Sequence, residues 1–462
     1  MPRKKKWPSP QEARAAALLT LLDSERGRFP EEALEEYADR LDGRDRALAS
    51  ALVFGVLRWR SRLEWIVTHF LTRGPKGLDQ VTRLILDLGL FQLIYLDRVP
   101  ASAAVNESVR LARSYGPAWS PNLVNAVLRA VTRADTLPDP EQGDLDEVNR
   151  LALAEAHPTW LVERWLGELG PVETRELLRA NNTMAPLTLR VNINRIGRDD
   201  LARRLENHAE KIEPTVYAPN GLKLNGPSGP VTGLPGFQEG LFAVQDEAAQ
   251  LIGLLARPQP GQSFLDACAG RGGKALHVAE TRGLAATALD PDAGRLAQIR
   301  PEVRRLGLGP VEVVRGDLLA GPFKPQSFDV VLVDAPCSNL GVIRRRPDVK
   351  WFKSALDPSL LAERQLELLN AAAPLVKPGG RLIYAVCTNT REETLGVVDN
   401  FWMSHLEFGL WPIQNFLPES ARPLAAEDGM LKAWPHRHGT DGFFAALFER
   451  KPNKPPDFPL DL

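Results

Sequence analysis

Cys337 and Cys387 each follow an apolar run, Val330-Val331-Leu332-Val333 and Leu382-Ile383-Tyr384-Ala385-Val386, and Asp334 opens the segment that leads to the first of them. Such runs read as buried parallel strands, so both thiols fall at strand carboxyl ends, where open α/β sheets bind their ligands. A lone cysteine is most often a small buried hydrophobe. Two cysteines and an aspartate converging on one crevice point instead to chemistry, and the chemistry that needs them is addition to an unsaturated ring. C5 of cytosine is too weak a nucleophile to take a methyl group unaided. Thiolate addition at C6 turns C5 into an enamine-like carbon that can, dividing one hard step into two. A carboxyl that hydrogen-bonds the N3 and N4 edge would stabilise the adduct, a part open to Asp334, and a base must remove the C5 proton before the thiol departs.

A second constellation lies upstream. A strand ending at Asp266 runs into Ala267-Cys268-Ala269-Gly270-Arg271-Gly272-Gly273-Lys274-Ala275 and then a helix. Glycines at such a turn let the backbone approach a ligand, and the helix start offers free N–H groups to a negative group, so a nucleotide-like ligand is expected. A phosphate-binding P-loop is excluded: Cys268 stands where its first glycine belongs, and Ala275 has no hydroxyl for magnesium. Gly270-x-Gly272-x-x-Ala275 meets the loose dinucleotide pattern, a weak signal alone. The next strand ends at Asp290, placed to accept from ribose hydroxyls, and the third is followed by Gly316-Asp317. Either aspartate alone could be a solvated cap. Gly, Asp and Asp at three adjacent strand ends describe an adenosine pocket.

The elements that must position these groups follow from periodicity. The spacing predicts strands at 263–266, 286–290, 311–315, 329–334 and 381–386, with a late one at 443–448, alternating with helices as in a doubly wound, mostly parallel sheet. This α/β domain spans 239–450. Ahead of it, 150–238 reads as a small α+β insert with helices around 160–165 and 172–181 and a strand at 187–192. Residues 1–135 read as an all-α bundle, with 84–96 apolar nearly all round and therefore its central helix, stopped by Pro100. An acidic linker covers 135–146, and 451–462 is a Pro-rich tail. A chain of 462 residues with 44% hydrophobic and 25% charged residues suits such a multidomain soluble protein. With 57 Lys plus Arg against 58 Asp plus Glu there is no global attraction to nucleic acid or membrane, so an anionic partner needs a local patch. Three cysteines without paired spacing argue against disulfides and metal sites. The basic start Arg3-Lys4-Lys5-Lys6 runs into Trp7-Pro8-Ser9-Pro10 rather than an apolar leader, which points to the cytoplasm.

Asp334-Ala335-Pro336-Cys337-Ser338 together with Gly341-Val342-Ile343-Arg344-Arg345-Arg346-Pro347-Asp348-Val349-Lys350-Trp351 resembles the catalytic motif of the Fmu/Sun type RNA cytosine-5 methyltransferases. The runs 186–192, 244–250 and 436–444 match the same family. The helical N-terminus, with Val56-Leu57-Arg58-Trp59-Arg60 and Val124-Asn125-Ala126-Val127-Leu128-Arg129, is similar to the NusB-like RNA-binding domain of its bacterial rRNA member. The resemblance implies a Rossmann-like class I methyltransferase domain holding S-adenosylmethionine through Cys268, Ala269, Gly270, Arg271, Gly272, Gly273, Lys274, Asp290, Asp317 and Asp334. It implies Cys387 as nucleophile and Cys337 as the residue assisting release, on 16S rRNA or a partial small-subunit particle, in a monomer without metal or membrane. The chain departs from the family at Gly270-Arg271, usually Ala-Pro, at Val386, usually Thr, and at Asn339, usually Gly. Arg344, Arg345, Arg346, Lys350 and Lys353 crowd the loop after Cys337 and read as phosphate contacts for the target strand. A NAD-dependent oxidoreductase would explain the glycine turn and leave both cysteines idle. A non-catalytic RNA-binding factor would explain only the helical domain and the basic loop.

Overall fold

The structure, a computed structural model, describes residues 12–72, 74, 76–280 and 284–452; the basic start at 3–6 and most of the expected tail lie outside the described residues. The chain divides into two compact units, one holding the described residues up to Thr183 together with Arg345–Ser354, the other Met184–Arg344 and the described residues from Ala355 onward.

The first unit is helical: α1 Ala13–Ser24, α2 Pro30–Ala38, α3 Gly43–His69, α4 Gln80–Tyr95, α5 Ala101–Tyr115, α6 Ser120–Arg133, α7 Glu147–Ala154 and α8 Thr159–Asn182. Carboxylate caps start three of them, Asp42 accepting from the Asp45 N–H, Asp79 from the Thr82 N–H and Asp146 from the Asn149 N–H. The all-round apolar run behaves as its pattern requires, since α4 is buried from Leu84 to Gln92. Glycine sets how closely its neighbours approach: a Cβ on Gly55 would lie 2.0 Å from the Phe91 ring, and one on Gly89 would lie 2.5 Å from Leu128. α8 contains a break, Gly170 at φ 75° followed by Pro171, which separates the two helices expected around 160–165 and 172–181. Both pack with this helical unit.

Arg345–Ser354 is the one part of this unit drawn from the late sequence. Lys350 is fully buried in it, its Nζ donating to Arg58 O and Ala156 O, each at 2.8 Å, and to Asn182 Oδ1 at 3.0 Å. Burial, then the Arg58 charge, push the Lys350 ammonium well below its usual range. Trp351 follows, its indole N–H donating to Leu57 O at 2.5 Å.

The second unit carries two sheets. The smaller is antiparallel, ordered β2-β3-β1-β4, with β1 Leu187–Val191, β2 Ala209–Pro214, β3 Gly221–Pro227 and β4 Phe242–Val244. The larger comprises β5 Ser263–Asp266, β6 Ala285–Asp290, β7 Val311–Arg315, β8 Phe328–Asp334, β9 Val376–Val386, β10 Phe408–Trp411, β11 Leu431–Ala433 and β12 Phe443–Arg450, in the order β10-β12-β9-β8-β5-β6-β7 with β11 on β12. β5 to β9 pair in parallel and β12 runs antiparallel to β9, so the sheet is mostly parallel as expected. The strand order reverses at β5, so ligands of such a sheet bind across the carboxyl ends of β5, β6 and β8. Each central strand is apolar on both faces because each face has its own core: Val331, Val333, Leu382 and Tyr384 pack with Leu368 and Leu369 of helix Asp357–Ala372, while Val330, Leu332, Ile383 and Ala385 pack with Leu251, Ile252 and Leu255 of helix Glu247–Ala256.

Two of the family-like runs serve architecture. Arg190, fully buried on β1, donates to Gln245 Oε1 and Glu280 Oε1, both at 2.6 Å, and Asn192 Nδ2 donates to Gly240 O and Leu306 O at 3.0 and 2.9 Å. Glu247, fully buried, accepts from the Tyr217 and Ala218 N–H groups and pairs with Lys223 at 2.6 Å.

Shortening Lys350 removes its hydrogen bonds to three oxygens and opens a cavity. Lys350→Ala in the full chain should therefore lose about 2–4 kcal/mol of unfolding free energy. Denaturant melts should show that loss, and a variant as stable as wild type would mean the amine contributes nothing to this unit.

Candidate active site

β5 delivers Asp266 to the floor of the site, where it is almost fully buried, and the chain then turns through Gly270 and Gly272 at φ +55° and +84° into helix Gly273–Val278. Both values lie in the left-handed region that only glycine enters without strain. A Cβ added at Gly270 or Gly273 would meet nothing within 4 Å, so the turn presents bare backbone to open space. β6 braces it: Asp290, buried, accepts from the Gly270 N–H at 2.8 Å and the Asp292 N–H at 2.9 Å, while the Ala269 N–H donates to Leu289 O. Beyond β7, Asp317 is exposed, accepts from the Leu319 N–H at 3.0 Å and lies 3.6 Å from Arg364. Arg271 is exposed, and Cys268 is a thiol pushed far up by burial and by the charges of Asp266, Asp334 and Asp290, which removes it as a nucleophile.

Lys274 reaches from the glycine turn to Asp334 at the end of β8 and forms an ion pair with its Oδ2, with Nζ 5.2 Å from the centre of the Phe443 ring. Burial alone would lower the Lys274 ammonium, but Asp334 and Asp266 override it and the ammonium is held above its usual range. One cation thus faces two carboxyls. Asp266 pays the difference: burial first and the Asp334 charge second push it up to about 7, with Lys274 opposing.

The two cysteines meet. Parallel pairing sets Asp334 opposite Ala385, and the segments that follow bring Cys337 Sγ to 3.2 Å from Cys387 Sγ. Cys337 is buried, and its thiol is pushed well up by the hydrogen bond with Cys387, by burial, and by the charges of Cys387 and Glu393. The loops are held by close backbone contact: the Gly341 N–H donates to Cys387 O at 3.0 Å, the Gly442 N–H donates to Gly341 O at 2.8 Å, and a Cβ on Gly341 would collide with Gly442 O at 2.2 Å. Beneath them Glu393, fully buried, accepts from the Ser338 N–H at 2.8 Å, Gln365 Nε2 at 2.9 Å and Thr390 Oγ1 at 2.8 Å. Tyr384 donates its hydroxyl to Gln365 Oε1 at 2.9 Å and to Glu393 O at 2.6 Å, and Ser338 Oγ donates to Thr388 Oγ1 at 3.0 Å. One carboxylate therefore ties the loop after Cys337 to the loop after Cys387. Sequence reasoning missed Glu393, although Thr390-Arg391-Glu392-Glu393 carries the spacing of a capping box. It also missed the contact that Asn339 makes with the thiols.

The basic loop is not the surface its charge suggests. Arg344 is buried, its Nε donating to Asp441 Oδ1 at 2.5 Å and its Nη1 to Gly439 O at 3.0 Å, with Asp246 at 3.5 Å. It joins the 436–444 run to the 244–250 run. Lys350 lies inside the helical unit, and Arg346 pairs with Glu31 at 2.7 Å and Asp348 at 3.1 Å. Arg344 and Lys350 are therefore corrected to structural residues, because their neighbours are buried acceptors distant in sequence. Arg345 and Lys353 are partly exposed.

Comparison with known proteins accords with this geometry. The family described as 16S rRNA methyltransferase RsmB/F matches residues 253–449, the NusB family 11–133, and the ferredoxin-like domain of RsmF/B-like methyltransferases 157–232. The probable ribosomal RNA small subunit methyltransferase B of Bacillus subtilis (strain 168) is 35% identical over 425 residues, 90% of this chain and 92% of that protein. The chain belongs to the RsmB/F family. The ribosomal RNA small subunit methyltransferase B of Salmonella paratyphi B is 37% identical over 82% of this chain and 86% of its own length. The crystal structure of PH0851 has a TM-score of 0.80 at 26% identity, covering 96% of this chain and 100% of that one. NSun6 from Pyrococcus horikoshii with SFG, TM-score 0.55 at 20% identity over 64% of this chain and 99% of that one, shares the fold alone. In this RsmB/F chain Val386 is fully buried, so the departure from Thr sets an apolar side chain in a dry core.

Asp266 supplies a pH test. Its folded value near 7 lies above the ordinary 3.8, so the folded state holds the proton more tightly, and the stability this contributes at low pH is lost as pH rises from about 4 through 7. Asp266→Asn, which cannot ionise, should gain thermal stability relative to wild type between pH 5 and pH 8. A difference constant across that range would contradict the assignment.

Proposed function

We propose that this chain transfers a methyl group from S-adenosylmethionine to C5 of a cytosine in small-subunit rRNA, through a covalent bond between Cys387 and C6. The observation that carries the reading is the pair of sulfurs 3.2 Å apart beside the Lys274–Asp334 ion pair, at the carboxyl ends of adjacent strands. The names of the Bacillus subtilis and Salmonella relatives and of the matched family support small-subunit, 16S rRNA as the substrate. The helical residues of 1–135, matched by the NusB family, are the candidate RNA-binding part, with Arg345 and Lys353 as phosphate contacts.

The residues around the glycine turn fit the cofactor: bare backbone at Gly270 and Gly273 faces open space, and carboxylates close β6 and follow β7. Cys268 to Lys274, Asp290, Asp317 and Asp334 are the residues proposed to hold it. When bound, S-adenosylmethionine supplies an electrophilic methyl carbon on a sulfonium. The protein does the rest. Cys387, as thiolate, forms the S–C6 bond and moves the ring electrons toward C5. Asp334, held by Lys274, hydrogen-bonds the N3 and N4 edge as charge builds in the ring. After methylation Cys337, having given its own proton to solvent, takes the C5 proton as thiolate, the electrons of that C–H bond restore the C5–C6 double bond, and the C6–S bond breaks with its electron pair leaving on Cys387. The hydrogen bond with Cys387 is the largest of the influences that raise the Cys337 thiol, which supports Cys337 as the sulfur that acts second.

The test separates the two roles. Cys387→Ser should abolish methylation of the rRNA and form no covalent complex. Cys337→Ala should accumulate an RNA–protein adduct that survives denaturing electrophoresis and is lost in the double variant. Normal turnover by Cys337→Ala, or an adduct in the double variant, would refute the assignment. For the cofactor, Asp290→Ala should weaken S-adenosylmethionine by about 1–3 kcal/mol in calorimetry, and unchanged affinity in a folded variant would remove Asp290 from the pocket.

A further inference from the structure

Asn339 stands where the resembling family usually has glycine. It keeps a left-handed backbone, φ 61° and ψ 20°, a conformation that Asn tolerates better than other side chains. Its amide lies beside the two cysteines. Nδ2 donates to Cys337 O at 3.1 Å, which fixes the amide plane and turns Oδ1 toward the sulfurs, 3.0 Å from Cys387 Sγ and 3.9 Å from Cys337 Sγ. Its backbone is fixed as well, since its carbonyl accepts from the Val342 N–H at 3.1 Å. The side chain is thus clamped from two sides with its carbonyl oxygen on the sulfur of Cys387.

The physics of that contact is one-sided. An amide oxygen only accepts, so the bond to Cys387 exists while the sulfur carries its proton; a thiolate at 3.0 Å would meet the negative end of the amide dipole. The oxygen is not basic enough to take the proton, so it cannot activate the nucleophile. We infer that Asn339 is a latch on Cys387: it holds the resting sulfur as an oriented thiol, and its contact must break before the sulfur attacks a base. This rests on the reading of Cys387 as nucleophile and adds to it a residue that sets when the thiol becomes reactive. A consequence is protection: a pair of sulfurs 3.2 Å apart stays less reactive toward electrophiles until RNA displaces the amide.

Alkylation by iodoacetamide, which reacts with thiolate, tests the latch on the full-length protein without RNA or cofactor. The modified Cys387 peptide is quantified by mass spectrometry, with a cysteine-free peptide of the same digest as the internal reference. At pH 7, Asn339→Gly, suited to the left-handed backbone, should alkylate Cys387 about fivefold faster than wild type, the scale of one neutral hydrogen bond. Asn339→Asp, of the same shape with an added negative charge, should slow it at least about as much. The Gly variant's advantage should vanish as pH is raised to 10, whereas a gain from mere access would persist there. The latch is overturned if both variants shift the same way, if Asn339→Gly is unchanged or slower, or if its advantage persists at pH 10. Methyl transfer retained by Cys387→Ser would instead overturn the reading of the nucleophile, whatever the alkylation rates.

Discussion

The parallel pairing of β8 with β9 is the constraint on which the site depends. With Asp334 opposite Ala385, the chain needs only three further residues on one strand end and two on the other to bring the sulfurs within 3.2 Å. A register slip of one residue would turn Asp334 and every inward side chain of β8 to the opposite face. That register is protected by two cores, one on each face, in which Val331 and Val333 pack apart from Val330 and Leu332. Above the strands the Gly341–Gly442 contact admits no side chain, and below them Glu393 joins the two loops. Packing of the sheet thereby becomes positioning of two thiols.

Charge is distributed with the same economy. Asp266, Asp290 and Asp334 close three neighbouring strands, yet Lys274 pairs directly only with Asp334. Asp290 is satisfied by backbone N–H groups, and Asp266 rises to about 7, where it can be neutral. The corner thus sets one carboxyl, that of Asp334, against an ammonium at the carboxyl edge of the sheet. The Cys337 thiol is raised first by its hydrogen bond with Cys387 and then by burial.

Much of this was legible in the residues. The runs ending at Asp266, Asp290 and Asp334 are strands in the structure, because short apolar runs bounded by polar turns have few alternatives in an α/β chain. The convergence of Cys337 and Cys387 followed from their places after adjacent runs. The fates of Arg344 and Lys350 did not: charge density marks a surface only when no buried acceptor is near, and their acceptors, Asp441, Arg58, Ala156 and Asn182, are remote in sequence. Asn339 was visible as a departure from a family pattern, but its contact with Cys387 depends on a backbone conformation that no periodicity encodes. The helices of 159–182 were found as helices, whereas their grouping with the helical unit rests on tertiary packing.

The central claim is that these two sulfurs serve methylation of one cytosine in small-subunit rRNA. Bisulfite sequencing of 16S rRNA from a strain lacking this protein, complemented with wild type or with Cys387→Ser, tests it most directly. The account predicts one 5-methylcytosine that disappears on deletion, returns with wild type and stays absent with Cys387→Ser. A full set of 5-methylcytosines in the deletion strain, or restoration of the lost one by Cys387→Ser, would contradict it.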